Sequence, residues 1–450
     1  MGFLQNFFWY MILIGVMILI HELGHYVAAR IFDVKVETFS FGFGKRLWGF
    51  QHGETDFRIS LIPFGGYVKM TGEQYSGDVN DPKGTPATVS GETDPRALTS
   101  KPRWQRMIIA FAGPGINIVL AIALLAGLFM VRYPKVPNPN SPFVGYLLKD
   151  GAAAKAGVRV GDQVVQVDDM VDPTWEQISL HEVTSPNHPM QVWVKRGNER
   201  LHLAVTPTLD EKQGLGNSGW QQETDVEVAE VKSGRSGDQA GLQAGDILVS
   251  VNGEKLRYTS RLNEIEKETD GAPLALVYSR KGVEGRVTVK PVKSNDNGEA
   301  AWLIGLTLSE RHEITRLALP QALYQSTRWN LLQSKMILQL LERMVSQKMP
   351  AKSLSGPIGM AKMSGEAARE GVISFIGLMA GVSLNLAIFN LLPIPILDGG
   401  VMLMLFIEML MRRDVDLKVK EAVLKVGFVF LMFVLVFALY NDISKSFPAG

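Results

Sequence analysis

From Met107 to Val131 the chain runs for 25 residues without a charged side chain, and from Gly371 to Leu397 for 27. A helix rises about 1.5 Å per residue, so either run can cross the ~30 Å hydrocarbon core of a bilayer. Phe3 to Ile20 is also uncharged and continues without proline to Arg30. It lacks a basic start and an Ala-x-Ala-like cleavage site, so it reads as a retained span and not as a secretory signal peptide. A fourth run, Val426 to Tyr440, extends backwards past Lys425. With 46 basic and 45 acidic residues the net charge is +1, which gives no global basic character to attract nucleic acid. There is no cysteine, so any metal must sit on His, Asp or Glu.

The basic residues orient the spans. None precedes the first span, whereas Arg30, Lys35, Lys45, Arg46, Arg58, Lys69, Lys101, Arg103 and Arg106 follow it, and Arg412, Arg413, Lys418 and Lys420 lie between the third and fourth. Both connections are expected to be cytoplasmic. The region from about 135 to 365 and both termini are then exoplasmic, which in a Gram-negative cell means periplasmic.

That region repeats itself. Ala156-Gly157-Val158-Arg159-Val160-Gly161-Asp162 is answered by Ala240-Gly241-Leu242-Gln243-Ala244-Gly245-Asp246 at an offset of 84, and Arg196-Gly197 and Pro207 by counterparts near Gly282 and at Pro291. Two copies of a domain follow, over 140–208 and 222–308. The Ala-Gly-Leu-x-x-Gly-Asp string resembles the circularly permuted bacterial PDZ domain. That likeness implies an α+β fold with a peptide ligand added as a strand to a sheet edge; a spacer or size filter that grips no peptide remains the alternative.

The first span ends in His21-Glu22-Leu23-Gly24-His25. Positions i and i+4 of a helix face the same way, so both imidazoles can reach one zinc while Glu22 is free to take a proton from water. Ionisable groups continuous with an apolar span are costly unless they are paired or ligate something. A catalytic zinc takes three protein ligands. His181, His188, His202 and His312 are exoplasmic, and His52 lies in a polar loop. Asp398 is the better third ligand: it ends Asn390-Leu391-Leu392-Pro393-Ile394-Pro395-Ile396-Leu397-Asp398-Gly399, where two prolines break the helix and present a carboxylate inward. A helix-capping aspartate is the plainer reading of Asp398 alone.

Between the first two spans, Val34–Phe43 and Thr55–Ile62 alternate as short strands, and Pro63-Phe64-Gly65-Gly66 reads as a turn into Tyr67–Met70. Between the repeat and the third span, Tyr324–Val345 carries Leu331, Leu332, Ile337, Leu338 and Leu341 interleaved with Gln333, Lys335 and Glu342, an amphipathic helix suited to a membrane surface.

Together the His-Glu-x-x-His string, Phe111-Ala112-Gly113-Pro114-Gly115-Ile116-Asn117 and Asn-x-x-Pro-x-Pro-x-Leu-Asp-Gly resemble the site-2 protease family of intramembrane zinc metalloproteases. The resemblance covers nearly the whole chain. It implies Zn2+ on His21, His25 and Asp398, with Glu22 as general base. Asn390 and Asn385 would contact the substrate backbone, and Gly42, Phe43 and Gly44 belong to the family's re-entrant β motif, against which an unwound substrate could pair. The implied substrate is a transmembrane segment of a single-span protein, an anti-sigma factor already trimmed by another protease, with remnant signal peptides as a second class.

The expected architecture is a polytopic α-helical membrane protein with four transmembrane helices, a cytoplasmic-side re-entrant β element and two exoplasmic α+β PDZ domains. Its segments are span 1 over 1–31, the β element over 32–75, a cytoplasmic loop over 76–103, span 2 over 104–132 and, after the repeat, amphipathic helices over 314–365. Span 3 covers 371–397, the Leu-Asp-Gly helix 398–415 and span 4 417–441. Intramembrane His and Asp also mark ion paths, so a cation transporter is a competing reading, and so is an inactive PDZ-bearing adaptor. A transporter would keep its transport when Glu22 is lost.

Overall fold

The computed structural model describes residues 2–72, 94–135, 142–210, 215–294, 301–311, 313–345 and 356–446. Residues 73–93, which take in the end of the expected β element and most of the expected cytoplasmic loop, and His312 lie outside them. The chain forms two compact units, one of Met1–Tyr133, Arg316–Leu338 and Leu354–Gly450, the other of Pro134–Thr315 and Gln339–Ser353.

In the first unit, four helices among the described residues are long and apolar enough to cross a membrane: Leu4–Ile31, Arg103–Val131, Val372–Asn390 and Lys418–Asp442. Lipid is as apolar as leucine, so such helices associate by close packing and buried polar contacts, and small residues mark where they touch. Gly24 of the first helix is such a point; a Cβ there would lie 2.4 Å from the Ala112 carbonyl oxygen of the second. Leu13 and Met17 pack with Phe375 and Val382, and Trp9 meets Phe375 edge-on at 5.2 Å, joining the first helix to the third. The third helix stops at Asn390, short of the expected 397. Leu391–Leu397 turns irregularly, because Pro393 and Pro395 remove backbone donors, and helix resumes at Asp398–Met411. The fourth span is fastened by a buried ion pair not evident from sequence, Lys420 with the fully buried Glu408, and in the connection before it the exposed Asp414 accepts from Arg103 at 2.7 Å.

After the first helix comes a hairpin of Val36–His52 and Thr55–Met70 that reverses at Gly53. Thr38 lies opposite both Asp56 and Lys69, and Phe41 opposite both Ile59 and Gly66, so Thr38–Phe41 is flanked on both sides. Pro63–Gly66, expected as a turn, carries the chain from one flank to the other. Val34, Val36, Phe39, Val68 and Met70 bury a face against Ala28, Ala29 and Ile109, which fixes the sheet on the first two apolar helices.

The amphipathic helix begins at Leu319, five residues earlier than expected, and runs to Val345. Its buried stripe is Ala322, Ser326 and Asn330, while Leu331 and Leu338 are exposed. Leu331 and Leu338 of the expected apolar face thus turn outward while Ile337 packs against Ala121, Leu384 and Ile388, and the polar stripe closes its own hydrogen bonds: Asn330 Nδ2 donates to the Ser326 carbonyl and Ser334 Oγ to the Asn330 carbonyl, each at 2.7 Å.

The second unit holds both repeat copies. In the first, the sheet formed by Gln163–Val167, Met170–Val171, Met190–Arg196 and Glu199–Val205 is accompanied by the helix Trp175–Val183. This copy continues past residue 208, since Trp220–Gln222 pairs with Val144–Leu147; the short polar strands after Pro207 carry too little alternation to be read from sequence. In the second copy, Val226–Val231, Ile247–Val251, Leu274–Arg280, Val283–Val289 and Leu306–Glu310 form one sheet beside the helix Ser260–Glu268. The repeated Gly-Asp is explained twice over. Arg196 forks onto Asp162 at 2.8 and 2.7 Å, and Arg280 onto Asp246 at 2.7 Å twice, locking the same turn in each copy.

Each copy also buries a helix glutamate 84 residues apart. Glu182 accepts from Ser218 N and Trp220 Nε1, whereas Glu266, 2% exposed, accepts from Ile304 N at 2.9 Å. Burial pushes the Glu266 carboxyl up to about 7, the Ile304 N–H offsetting part of that. A carboxyl raised above its unfolded value contributes full stability below the unfolded pKa, and that contribution is lost as pH rises through the folded one. The second copy is therefore expected to lose on the order of 3 kcal/mol between about pH 4.5 and 7 through this group. Glu266→Gln should flatten that slope and slow amide exchange of Val226–Val231 at pH 8 in the intact protein; identical pH profiles for variant and wild type would dismiss the assignment.

Candidate metal centre

His21 and His25 sit one turn apart on the first apolar helix, both buried, with ring centroids 4.9 Å apart. Asp398 reaches them from the start of the helix that follows the proline-broken turn. Its Oδ2 lies 3.2 Å from His21 Nε2 and its Oδ1 3.4 Å from His25 Nε2, while the two Nε2 atoms are 3.3 Å apart. Asp398 thus begins a helix, yet its carboxylate turns to the histidines. Among the described residues this is the one group of three His, Asp or Glu residues whose ligand atoms converge, all within 4.8 Å of one another.

The spacing can be tested against a metal. Donors about 2.1 Å from a tetrahedral zinc lie about 3.3 to 3.4 Å from each other. The 3.3 Å between the two Nε2 atoms matches that edge, and each imidazole has one Asp398 oxygen at a comparable distance, Oδ2 for His21 and Oδ1 for His25. The ligand chemistry fits too, since two imidazoles and one carboxylate leave a fourth position open.

The second apolar helix supplies the wall behind this cluster. His25 Nδ1–H donates to the Ile109 carbonyl at 2.8 Å, which leaves Nε2 bare toward the cluster. Gly113, one turn on, has no side chain because none fits: a Cβ would lie 2.2 Å from His25 Nε2 and 2.8 Å from His21 Cε1. Asn117, a further turn on and fully buried, places its amide 3.2 Å from His21 Nδ1. In sequence, Gly113 and Asn117 stand inside the string Phe111–Asn117, which by itself assigns a task to neither. The signal was their spacing: Ile109, Gly113 and Asn117 recur every four residues, on one helical face.

The other expected site residues divide. Asn390, at the end of the third helix, has its Nδ2 3.4 Å from His21 Nε2 and so stands at the cluster. Asn385 is exposed on the same helix and is not brought to it. Glu22 is half-buried and faces the sheet, where a Cβ on Gly66 would lie 2.9 Å from its Cγ. Gly42 and Gly44 both adopt φ of 88°, and a Cβ on Gly42 would lie 2.7 Å from the Ile62 carbonyl oxygen, so glycine is required there. Phe43 between them stacks on Tyr67 at 6.0 Å. Ile396, just before the Leu-Asp-Gly string, sits at φ 85°, a region that a β-branched residue enters only under strain.

Comparison with known proteins accords with this geometry. The model of Peptidase family M50 matches residues 9–434. The chain is 31% identical to the regulator of sigma-E protease RseP of Salmonella typhimurium, and 30% to that of Escherichia coli K12, over 99% of this chain and 100% of each relative. It is 29% identical to a putative zinc metalloprotease of Vibrio cholerae, over 98% of this chain and 99% of the relative. A PDZ domain of the SdrC-like protein from Listeria monocytogenes aligns with 20% of this chain and 90% of its own, at 19% identity and a TM-score of 0.18. With a family model spanning almost its full length and relatives of matching extent, this membrane protein belongs to peptidase family M50, the site-2 protease family, and is a zinc metalloprotease.

Proposed function

We propose that the protein hydrolyses peptide bonds within transmembrane segments of single-span membrane proteins, with His21, His25 and Asp398 holding the zinc and Glu22 as general base. The observation that carries this reading is the convergence of the three donors among helices long and apolar enough to lie in a bilayer. Zinc, when bound, supplies a Lewis acid for water and for the scissile carbonyl. The chain does the rest. Glu22 accepts a proton from water and delivers it to the leaving amide nitrogen. The Asn390 amide donates to a substrate backbone oxygen, and Asn385, further back on the same helix, meets the substrate outside the cluster.

A regular helix keeps its carbonyls in internal hydrogen bonds, so a substrate span must unwind before it can be cut. The sheet around Gly42, Phe43 and Gly44 offers such a segment an extended partner. The two repeat copies act as periplasmic PDZ domains that select shortened substrates by size or by a bound peptide. The sheet and the active site face the cytoplasmic side of the inner membrane, as the basic residues of the flanking connections favour. The relatives' name, regulator of sigma-E protease, favours a single-span anti-sigma factor as substrate, with remnant signal peptides as a second class.

The test is cleavage by detergent-purified protein of two tagged single-span substrates, one with Gly, Asn or Pro inside the span and one of leucine throughout. The first should be cut inside its span at least about tenfold faster, because its carbonyls are easier to free. Equal rates, or cuts only outside the span, would refute intramembrane hydrolysis.

A further inference from the structure

We infer that Asn117 is a positioning residue, whose side-chain oxygen accepts the Nδ1–H of His21 and so holds that imidazole with a bare Nε2 toward the metal. The inference rests on the ligand assignment proposed above. A neutral imidazole carries one ring proton and binds a cation through its other nitrogen. The protonated nitrogen of a buried ring needs an acceptor, and that acceptor decides which tautomer is held. For His25 the acceptor is the Ile109 carbonyl. His21 Nδ1 faces the side chain of Asn117 at 3.2 Å.

Two further facts single out this amide. Asn117 is fully buried, yet its Oδ1 has no hydrogen-bond partner, while its nitrogen faces the ring. A half-turn about Cβ–Cγ exchanges the two atoms in nearly the same volume. It brings Oδ1 to Nδ1 and gives the orphaned oxygen a donor. The backbone beneath is held from the third helix, where buried Ser383 donates its Oγ–H to the Asn117 carbonyl at 2.8 Å. The second helix thus contributes Ile109 for one imidazole and Asn117 for the other, with Gly113 clearing the space between.

The experiment is chelator competition for zinc on the purified full-length protein, with cobalt substitution as a spectroscopic reporter of coordination. Asn117→Leu, similar in size but without an acceptor, should weaken zinc binding about 10- to 100-fold and shift the visible cobalt bands. Asn117→Asp, which restores the acceptor, should stay within about threefold of wild type or bind tighter. His21→Ala should bind little zinc. If Asn117→Leu binds zinc as wild type does while His21→Ala does not, the positioning role is overturned and the ligand assignment stands. If His21→Ala keeps wild-type affinity, the ligand assignment itself falls. Should the leucine variant fail to fold, nitrogen-15 spectra of His21 in zinc-loaded wild type decide: a proton on Nδ1 supports the inference, and a proton on Nε2 overturns it.

Discussion

Purified Glu22→Gln protein should hold as much zinc as wild type and cleave a single-span substrate about 10²- to 10⁴-fold more slowly, the range over which a positioned general base acts. The reason is placement. Glu22 follows His21 directly, and a helix turns about 100° per residue, so its carboxyl stands beside the donors without joining them. The three converging groups are His21, His25 and Asp398. Glu22 faces the sheet at Gly66, where lack of a side chain leaves room for its Cγ. A substrate strand laid along that sheet would bring its scissile bond between Glu22 and the zinc ligands. Glutamine keeps the size and loses the base. Zinc content and cleavage are read on the same preparation: an active Glu22→Gln enzyme removes the proton-transfer role, and a zinc-poor one makes Glu22 part of the metal site. The transporter reading predicts the opposite pairing, with metal flux in reconstituted vesicles untouched by the change.

Which features are legible in the amino-acid sequence follows from which forces act locally. Spans are set by the absence of charge over a bilayer's thickness, a property of composition, so all four stand out. The pair His21 and His25 is legible because helical periodicity alone puts i and i+4 together. Asp398 is within reach because a lone carboxylate beside two prolines in an apolar run is costly unless it is paired or bound to a cation. What stays hidden depends on partners distant in sequence. Nothing near Asn117 tells that it faces His21, 96 residues away. Glu408 reads as a stray charge until Lys420 and Arg103 close on it. Within Leu319–Val345, Leu331 and Leu338 face outward while Ala322, Ser326 and Asn330 are buried, because apolar surroundings leave small and polar residues to make the protein contact. The first repeat copy extends beyond 208 through its closing strand, Trp220–Gln222, which spans three residues and is set by pairing with Val144–Leu147.

Adding one methyl group at Gly113 is expected to disable the enzyme without unfolding it. In Gly113→Ala the new Cβ would lie 2.2 Å from His25 Nε2, 2.7 Å from its Cε1 and 2.8 Å from His21 Cε1, closer than nonbonded carbon and nitrogen tolerate. Neither ring can back away cheaply. His25 is tied through Nδ1 to Ile109 on the same helix, and His21 is flanked by Asn117, also on that helix. Parting the helices would sacrifice the close packing of Gly24 on the Ala112 backbone. The strain therefore falls on the donor cluster, where the two Nε2 atoms stand 3.3 Å apart and each faces one oxygen of Asp398 at 3.2 or 3.4 Å. Zinc affinity should drop at least as far as loss of a supporting contact would take it, about 100-fold, and cleavage should fall to background. Alanine favours helix over glycine by about 1 kcal/mol, so the second helix itself gains, and thermal unfolding should not report a gross loss of fold. Gly127→Ala, on the same helix with open space around its Cβ, is the control and should match wild type in zinc and rate. A Gly113→Ala protein with wild-type zinc and wild-type cleavage would mean that the imidazoles do not occupy the space behind which this helix packs, and the proposed metal centre would have to be abandoned.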